Sequence, residues 1–162
     1  MKLRPAQSAD RPEIWALLNP VFRAGETYAV ARDISERDAL NMWCDSSAAS
    51  FVAEEGGRTI GTYYIKANAA GGGAHVCNCG YVTSTAAQGR GIARAMCLHS
   101  QDQARALGYK AMQFNMVLAS NVGALALWHK LGFETVGVLP RVFDHPSRGL
   151  VDAHVMYKWL AD

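Results

Sequence analysis

Apolar positions along the chain change their period several times, and each change marks an element. Ile14, Leu17, Leu18, Val21 and Phe22 recur at helical spacing. Ahead of them, Asp10-Arg11-Pro12-Glu13 supplies an N-cap, an early proline and a glutamate that predict a capping box. Lys2 to Ala6 reads as a short edge strand. Gly25-Glu26-Thr27-Tyr28 breaks the first helix, and a second is expected after Ser35, running to about Cys44. Phe51 to Glu55 and Thr59 to Ala67 are strand-like and joined by Gly56-Gly57, a hairpin signal. The glycine-rich turn Asn68 to Gly73 leads into a strand over 74–83, a helix over 92–107 capped by Gly108, and a strand from Lys110 to Val117. That strand–helix–strand order predicts a parallel pair. A helix from Asn121 to Leu131 follows, with Gly132 in the left-handed cap position. Two antiparallel strands, Glu134 to Val142 and Val151 to Leu160, close the sheet around an expected loop, Phe143 to Leu150. The expected fold is α/β: a mixed sheet of about seven strands with helices on both faces. It forms one domain over 1–162.

Composition narrows the classes. Half of the 162 residues are apolar, and a chain of this length buries roughly 70% of its unfolded surface, so no disulfide is needed. A net charge of +2 gives no ground for a nucleic-acid partner. No apolar run reaches the ~18 residues of a membrane span, and no signal-peptide pattern opens the chain, so a cytoplasmic protein without a membrane partner is expected. Cys77 and Cys79 alternate along one strand, and Cys44 and Cys97 lie on separate predicted helices. Their spacing matches neither a redox pair nor a zinc site, so buried free thiols and no metal are expected.

The stretch Gln88-Gly89-Arg90-Gly91-Ile92-Ala93 carries the most chemistry. It lies between a predicted strand and a predicted helix, where glycines let backbone N–H groups approach a ligand and the helix start presents unpaired donors. Arg90 and Arg94 add charge. Such a turn suits phosphate or pyrophosphate, although alone it also reads as a tight bend. It is not a P-loop, because Ile92-Ala93 replaces the Lys-Ser/Thr pair. Nor is it a dinucleotide fingerprint, because Arg94 stands where glycine or alanine would be required. Asn78 and Asn115 each interrupt a strand of small or apolar residues, where asparagine is disfavoured. Each is either a functional donor or a structural amide tied to backbone or water.

Gln88-x-x-Gly91-x-Ala93 resembles the pyrophosphate-binding motif of the GNAT superfamily of acetyl-CoA-dependent N-acetyltransferases. Asn121 with Ala124-Leu125-Ala126-Leu127-Trp128 and the Gly132-Phe133 exit resembles that superfamily's next helix, and Leu3-Arg4-Pro5-Ala6 its first strand. The resemblance covers nearly the whole chain in order. It implies a central parallel pair splayed to admit coenzyme A, with acetyl-CoA as cosubstrate. Gln88, Gly89, Arg90, Gly91, Ile92 and Ala93 would hold its phosphates, and Val82 and Thr83 would pair with pantetheine. Asn78, Phe114-Asn115 and Asn121 further resemble the branch containing the yeast acetyltransferase of toxic proline analogues. That implies substrate and oxyanion roles for Asn78 and Asn115, cofactor contact for Asn121, and a small amine, such as an amino acid or analogue, as acceptor.

Two departures stand out. Trp128 replaces the tyrosine that many relatives use as general acid, leaving Tyr157 as a weaker candidate, and no glutamate base stands on the strand before Asn78. His75 falls on the opposite face from Asn78, while Asp152 and His154 share a face of the final strand. Glu26 and Tyr28 could line an acceptor pocket, and relatives allow a homodimer. The alternative reading is a non-catalytic acyl-CoA-binding or sensing module.

Overall fold

The computed structural model describes residues 1–46 and 49–161. Its strands are β1 (Lys2–Pro5), β2 (Ala49–Glu55), β3 (Arg58–Ala67), β4 (Val76–Thr83), β5 (Ala111–Leu118), β6 (Glu134–His145) and β7 (Gly149–Trp159). They form one seven-stranded sheet in the order β1-β2-β3-β4-β5-β7-β6. Helices α1 (Arg11–Ala24) and α2 (Glu36–Leu40) precede β2; α3 (Ile92–Ala106) links β4 to β5, and α4 (Val122–Lys130) follows β5.

Strand alternation sorts the core into two layers. Phe51, Tyr63, Ile65, Cys77 and Cys79 point to the face covered by α3 and α4. Val52, Tyr64 and Val82 point to the other face, against Ile14, Leu18 and Phe22 of α1 and Leu40 of α2. The mixed sheet with helices on both faces is therefore as the pattern predicts. Cys77, Cys79 and Cys97 are buried free thiols and Cys44 is half-buried; burial pushes the Cys97 thiol up to about 11, where it is inert at neutral pH.

Three local expectations need correction. Asp10 and Glu13 do not form the capping box. The Asp10 carboxylate instead receives Arg4 through Nη1 at 2.7 Å and Nη2 at 2.8 Å, and the Gln7 N–H at 2.7 Å. Glu13 accepts the Thr59 N–H at 2.6 Å, tying α1 to the β2–β3 hairpin. Asp10 is thus spent on Arg4 and on capping the short turn that begins at Gln7, and Glu13 on a tertiary contact. The second helix does reach Asp45, but from Asn41 onward it is a π-helical turn. Finally, the expected loop Phe143 to Leu150 is mostly strand. β6 and β7 pair as far as His145↔Gly149, with a register shift between Leu139 and Phe143. Arg141 there takes φ 49, and its N–H is held by Asp152 Oδ1 at 2.7 Å.

The feature that positions the site is the central parallel pair. β4 and β5 are in register only at Val76↔Ala111 and Cys77↔Met112. Beyond this point the strands diverge, and β5 bulges between Phe114 and Val117 against β7.

Candidate active site

At the fork, Asn78 takes the place of the next ladder bond. Its Nδ2 donates to the Gln113 carbonyl at 2.9 Å, and its Oδ1 accepts from the Tyr64 hydroxyl at 3.0 Å. Burial pushes the Tyr64 phenol up to about 12, so it remains a neutral donor. One N–H of the Asn78 amide is left over, since a primary amide carries two. The structural and the functional reading of Asn78 are therefore compatible: one hydrogen pins the fork while the other remains available.

Below Asn78 the fork opens into a cleft of about 870 Å³, lined by both strands, the loop after α1, the π turn and the start of α4. The peptide groups that face this gap follow from alternation. The Ser84 N–H bonds to Ile60 of β3, so even-numbered residues of β4 turn toward β3. Tyr81 and Thr83 consequently turn theirs toward β5, which has moved away. Val82 directs its peptide to β3 and its side chain into the core. Tyr81 is already engaged: its N–H donates to the Tyr28 hydroxyl at 2.9 Å, and that hydroxyl donates to the Tyr81 carbonyl at 2.9 Å. Burial holds the Tyr28 phenol far above its ordinary value, so it stays protonated and serves as both donor and acceptor.

At one end of the cleft stands the glycine turn. Gly89 and Gly91 adopt φ +74 and +76, and no atom lies within 4 Å of where a Cβ would stand at either. Left-handed backbone favours glycine for steric reasons, and here it also leaves the peptide bare. Gly91 is the N-cap of the 15-residue α3 and offers no side-chain cap. The first N–H groups of that helix therefore remain open, with the positive end of the helix dipole behind them. Gln88, Gly89 and Ala93 line the cleft. Ile92 is buried in the core. The Arg90 guanidinium turns away to Glu55 at 2.7 Å, so what Arg90 offers the turn is its backbone. Asn121 caps α4, its Oδ1 accepting the Ala124 N–H at 3.3 Å, and its residue lines the cleft.

At the other end, Asn115 lies in the β5 bulge with its amide fixed by neighbours. Oδ1 accepts from Gln113 Nε2 at 2.8 Å, and Nδ2 donates to Asn68 Oδ1 at 2.7 Å. Bulges re-aim side chains, and this one turns Asn115 to line the cleft together with Asn78. The wall is aromatic. Trp43 packs edge-on against Tyr64 at 4.8 Å and Tyr28 at 6.0 Å, and Trp128 packs on Phe114 and Tyr81, each at 5.2 Å.

The structure thus gathers Asn78, Asn115, Asn121, Val82, Thr83, Gln88, Gly89, Ala93 and Tyr28 along one cleft. Glu26 is exposed and lines a separate recess of about 310 Å³ beside Thr83 and Gln88. Tyr157 and His75 do not line the cleft; Tyr157 pairs with Gln113 and Glu134 in the sheet, and His75 sits on the Gly72 carbonyl at 3.1 Å. Asp152 holds the Arg141 N–H, and His154 contacts Thr135 at 3.2 Å, both in the β6–β7 ribbon. Sequence reasoning missed Trp43, Met42, Tyr64 and Lys66, which also line the cleft. Only the adjacent aromatic pair Tyr63-Tyr64, with one ring on each face of a strand, hinted at any of them.

Comparison with known proteins agrees with this geometry. Residues 11–133 match the model of the acetyltransferase (GNAT) family. The N-acetyltransferase aca1 of Schizosaccharomyces pombe is 33% identical over 99 residues, which are 59% of this chain and 46% of that protein. The chain therefore spans about half the length of that curated relative. A GCN5-related N-acetyltransferase from Kribbella flavida is 36% identical and superposes with a TM-score of 0.93 over 98% of this chain and 97% of its own. The yncA protein of Salmonella typhimurium, solved with its cofactor acetyl-CoA, shares the fold at 22% identity and a TM-score of 0.87, covering 100% of this chain and 95% of that one. With its forked parallel pair, bare glycine turn and matched core, this chain belongs to the acetyltransferase (GNAT) family.

Proposed function

We propose that the chain is an acetyl-CoA-dependent N-acetyltransferase whose acceptor is the amine of a small molecule, an amino acid or analogue. The observation that carries this reading is the fork itself. One cleft runs from Gly89 and Ala93, at a helix start whose N-cap is Gly91, to a pair of strand asparagines. Phosphates suit the first end, because open N–H groups and a helix dipole attract anions. A thioester carbonyl suits the second, where Asn78 and Asn115 offer amide hydrogens toward an oxygen that becomes negative during attack. Between the two ends, the peptide of Thr83 faces the gap and suits an amide of pantetheine.

In this reading the neutral amine attacks the thioester carbon directly. A C–N bond forms and the C–S bond breaks. The thiolate leaves with the electron pair and takes a proton from water, while the amine nitrogen loses its extra proton to water. Trp128 cannot protonate the leaving thiolate at neutral pH, but with a thiol pKa near 8.5 little acceleration is lost by leaving this to water. Donating residues and positioning supply the rest.

The same reading treats 1–162 as one cytoplasmic domain, and the unbridged thiols of Cys77, Cys79 and Cys97 suit a reducing compartment. It also pairs two copies through β6, an edge strand of 12 residues whose Val136, Val138, Leu139 and Val142 are exposed. Val138→Lys is expected to convert a dimer to a monomer in sedimentation. Wild-type protein that sediments as a monomer at every concentration removes that part.

The test of transfer is free-thiol release from acetyl-CoA across a panel of amines, with a thermal shift measured in parallel. A catalyst releases thiol with at least one amine. A binding or sensing module stays silent with all of them, yet acetyl-CoA at ~100 times its dissociation constant stabilises it by roughly 2.7 kcal/mol. No shift at all would sink both readings.

A further inference from the structure

The cleft carries a single formal charge. Among the described residues lining it there is no Asp, Glu, Arg or His, and Lys66 alone carries a formal charge. Lys66 forms no ion pair and no side-chain hydrogen bond with a described residue; its ammonium rests 5.1 Å from the centre of the Tyr64 ring. That is the Tyr64 whose hydroxyl holds Asn78. An ammonium carries three donors, and a cleft without other charge leaves them open to an anionic group. Among the described residues none supplies one.

Its position excludes the phosphates as that anion. Lys66 pairs with Asn78 in the β3–β4 register, whereas Thr83, beside the glycine turn, pairs with Gly61. Five strand residues separate the two positions, or roughly 17 Å at ~3.3 Å each. Lys66 therefore stands at the asparagine end, where an acceptor would enter, and not at the helix end.

We propose that Lys66 binds a carboxylate on the acceptor, so that the accepted amines are amino acids rather than polyamines, simple amines or lysine side chains. The proposal rests on the acetyl-transfer reading and adds the group that selects the substrate. A carboxylate entering beside Lys66 gains a charge-assisted hydrogen bond in a cleft walled by aromatic rings. A dication or a simple ammonium meets a like charge with no compensating anion. With its ammonium over the Tyr64 ring and its residue opposite Asn78 in the ladder, Lys66 stands within reach of a group held near Asn78.

The test compares kcat/KM for thiol release from acetyl-CoA with common α-amino acids, each against its own carboxamide and its decarboxylated amine. Wild-type protein is expected to prefer the acid over the amide by roughly 10- to 100-fold, the worth of one hydrogen bond to a charged group. In Lys66→Met that ratio is expected to fall toward one, while Lys66→Arg retains most of it. A thermal shift with coenzyme A in each variant reports whether the cleft is intact. Wild-type protein that takes the amide or decarboxylated amine as readily as the acid overturns the proposal. So does a Lys66→Met protein that keeps the acid preference. Silence of the wild-type protein with every acceptor overturns the acetyl-transfer reading and this proposal with it.

Discussion

The two ends of the cleft are made of different material. The helix end is backbone: Gly89, Gly91 and the first peptides of α3 present N–H groups, and the one nearby charged side chain with a fixed partner, Arg90, is turned to Glu55. The asparagine end is side chain: Asn78, Asn115, Tyr64, Lys66 and Trp43 come from β4, β5, β3 and the π turn, and several hold one another in place. A diphosphate presents the same oxygens whatever is being acylated, so a backbone cradle is sufficient and admits little variation. An acceptor is particular, and its end is assembled from residues that can change without altering the fold. Generic recognition by main chain and particular recognition by side chain meet at Asn78, which also bridges β4 and β5 at the mouth of the fork.

Substitutions can break this contrast. The largest effect is expected at the backbone end from Gly91→Val. A β-branched residue is strained at φ +76 and fills the bare space over the turn. Acetyl-CoA should no longer raise the melting temperature. A normal shift would mean the phosphates bind elsewhere. Next comes Asn115→Ala, expected to lower turnover by roughly 10²–10³ while leaving acetyl-CoA affinity nearly intact, if its amide faces the oxyanion. Unchanged kcat would remove it from the reacting end. Asn78→Ala removes the pin between β4 and β5 and should cost about 1–3 kcal/mol of stability by chemical denaturation, besides lowering turnover. A stable but inactive variant would separate its two roles and show that the fork stands without it. Smallest is Arg90→Ala. Its guanidinium makes an exposed ion pair with Glu55, a kind of contact worth at most about 1 kcal/mol, so acetyl-CoA affinity should move by less than about tenfold. A larger loss would show that the side chain swings to the phosphates on binding.

The same contrast governs what could be read in advance. The helix end is local in sequence: strand, glycines and helix follow one another within 74–107, and the glycines signal positive φ on their own. The helix opening at Asn121 and the parallel pair were equally legible, because helical spacing and crossover length are short-range properties. The asparagine end is non-local. Tyr28 reaches Tyr81 across 53 residues, and Asn68 reaches Asn115 across 47; no periodicity encodes such a meeting. The π turn that brings Met42 and Trp43 to the cleft looks like ordinary helix in sequence. Lys66 reads as one more solvated charge on a strand until the surrounding residues prove uncharged. The sheet edge misled in the opposite way: the segment 143–150 is rich in turn formers, yet pairing with β7 extends β6 to His145.

The central claim, that this cleft passes an acetyl group directly from coenzyme A to an amine, is tested most directly by initial rates of thiol release with acetyl-CoA and an accepted amino acid varied together. The account predicts intersecting lines in double-reciprocal form and an acetylated nitrogen on the amino acid. Parallel lines, with acetyl trapped on one of the cysteines, would contradict it.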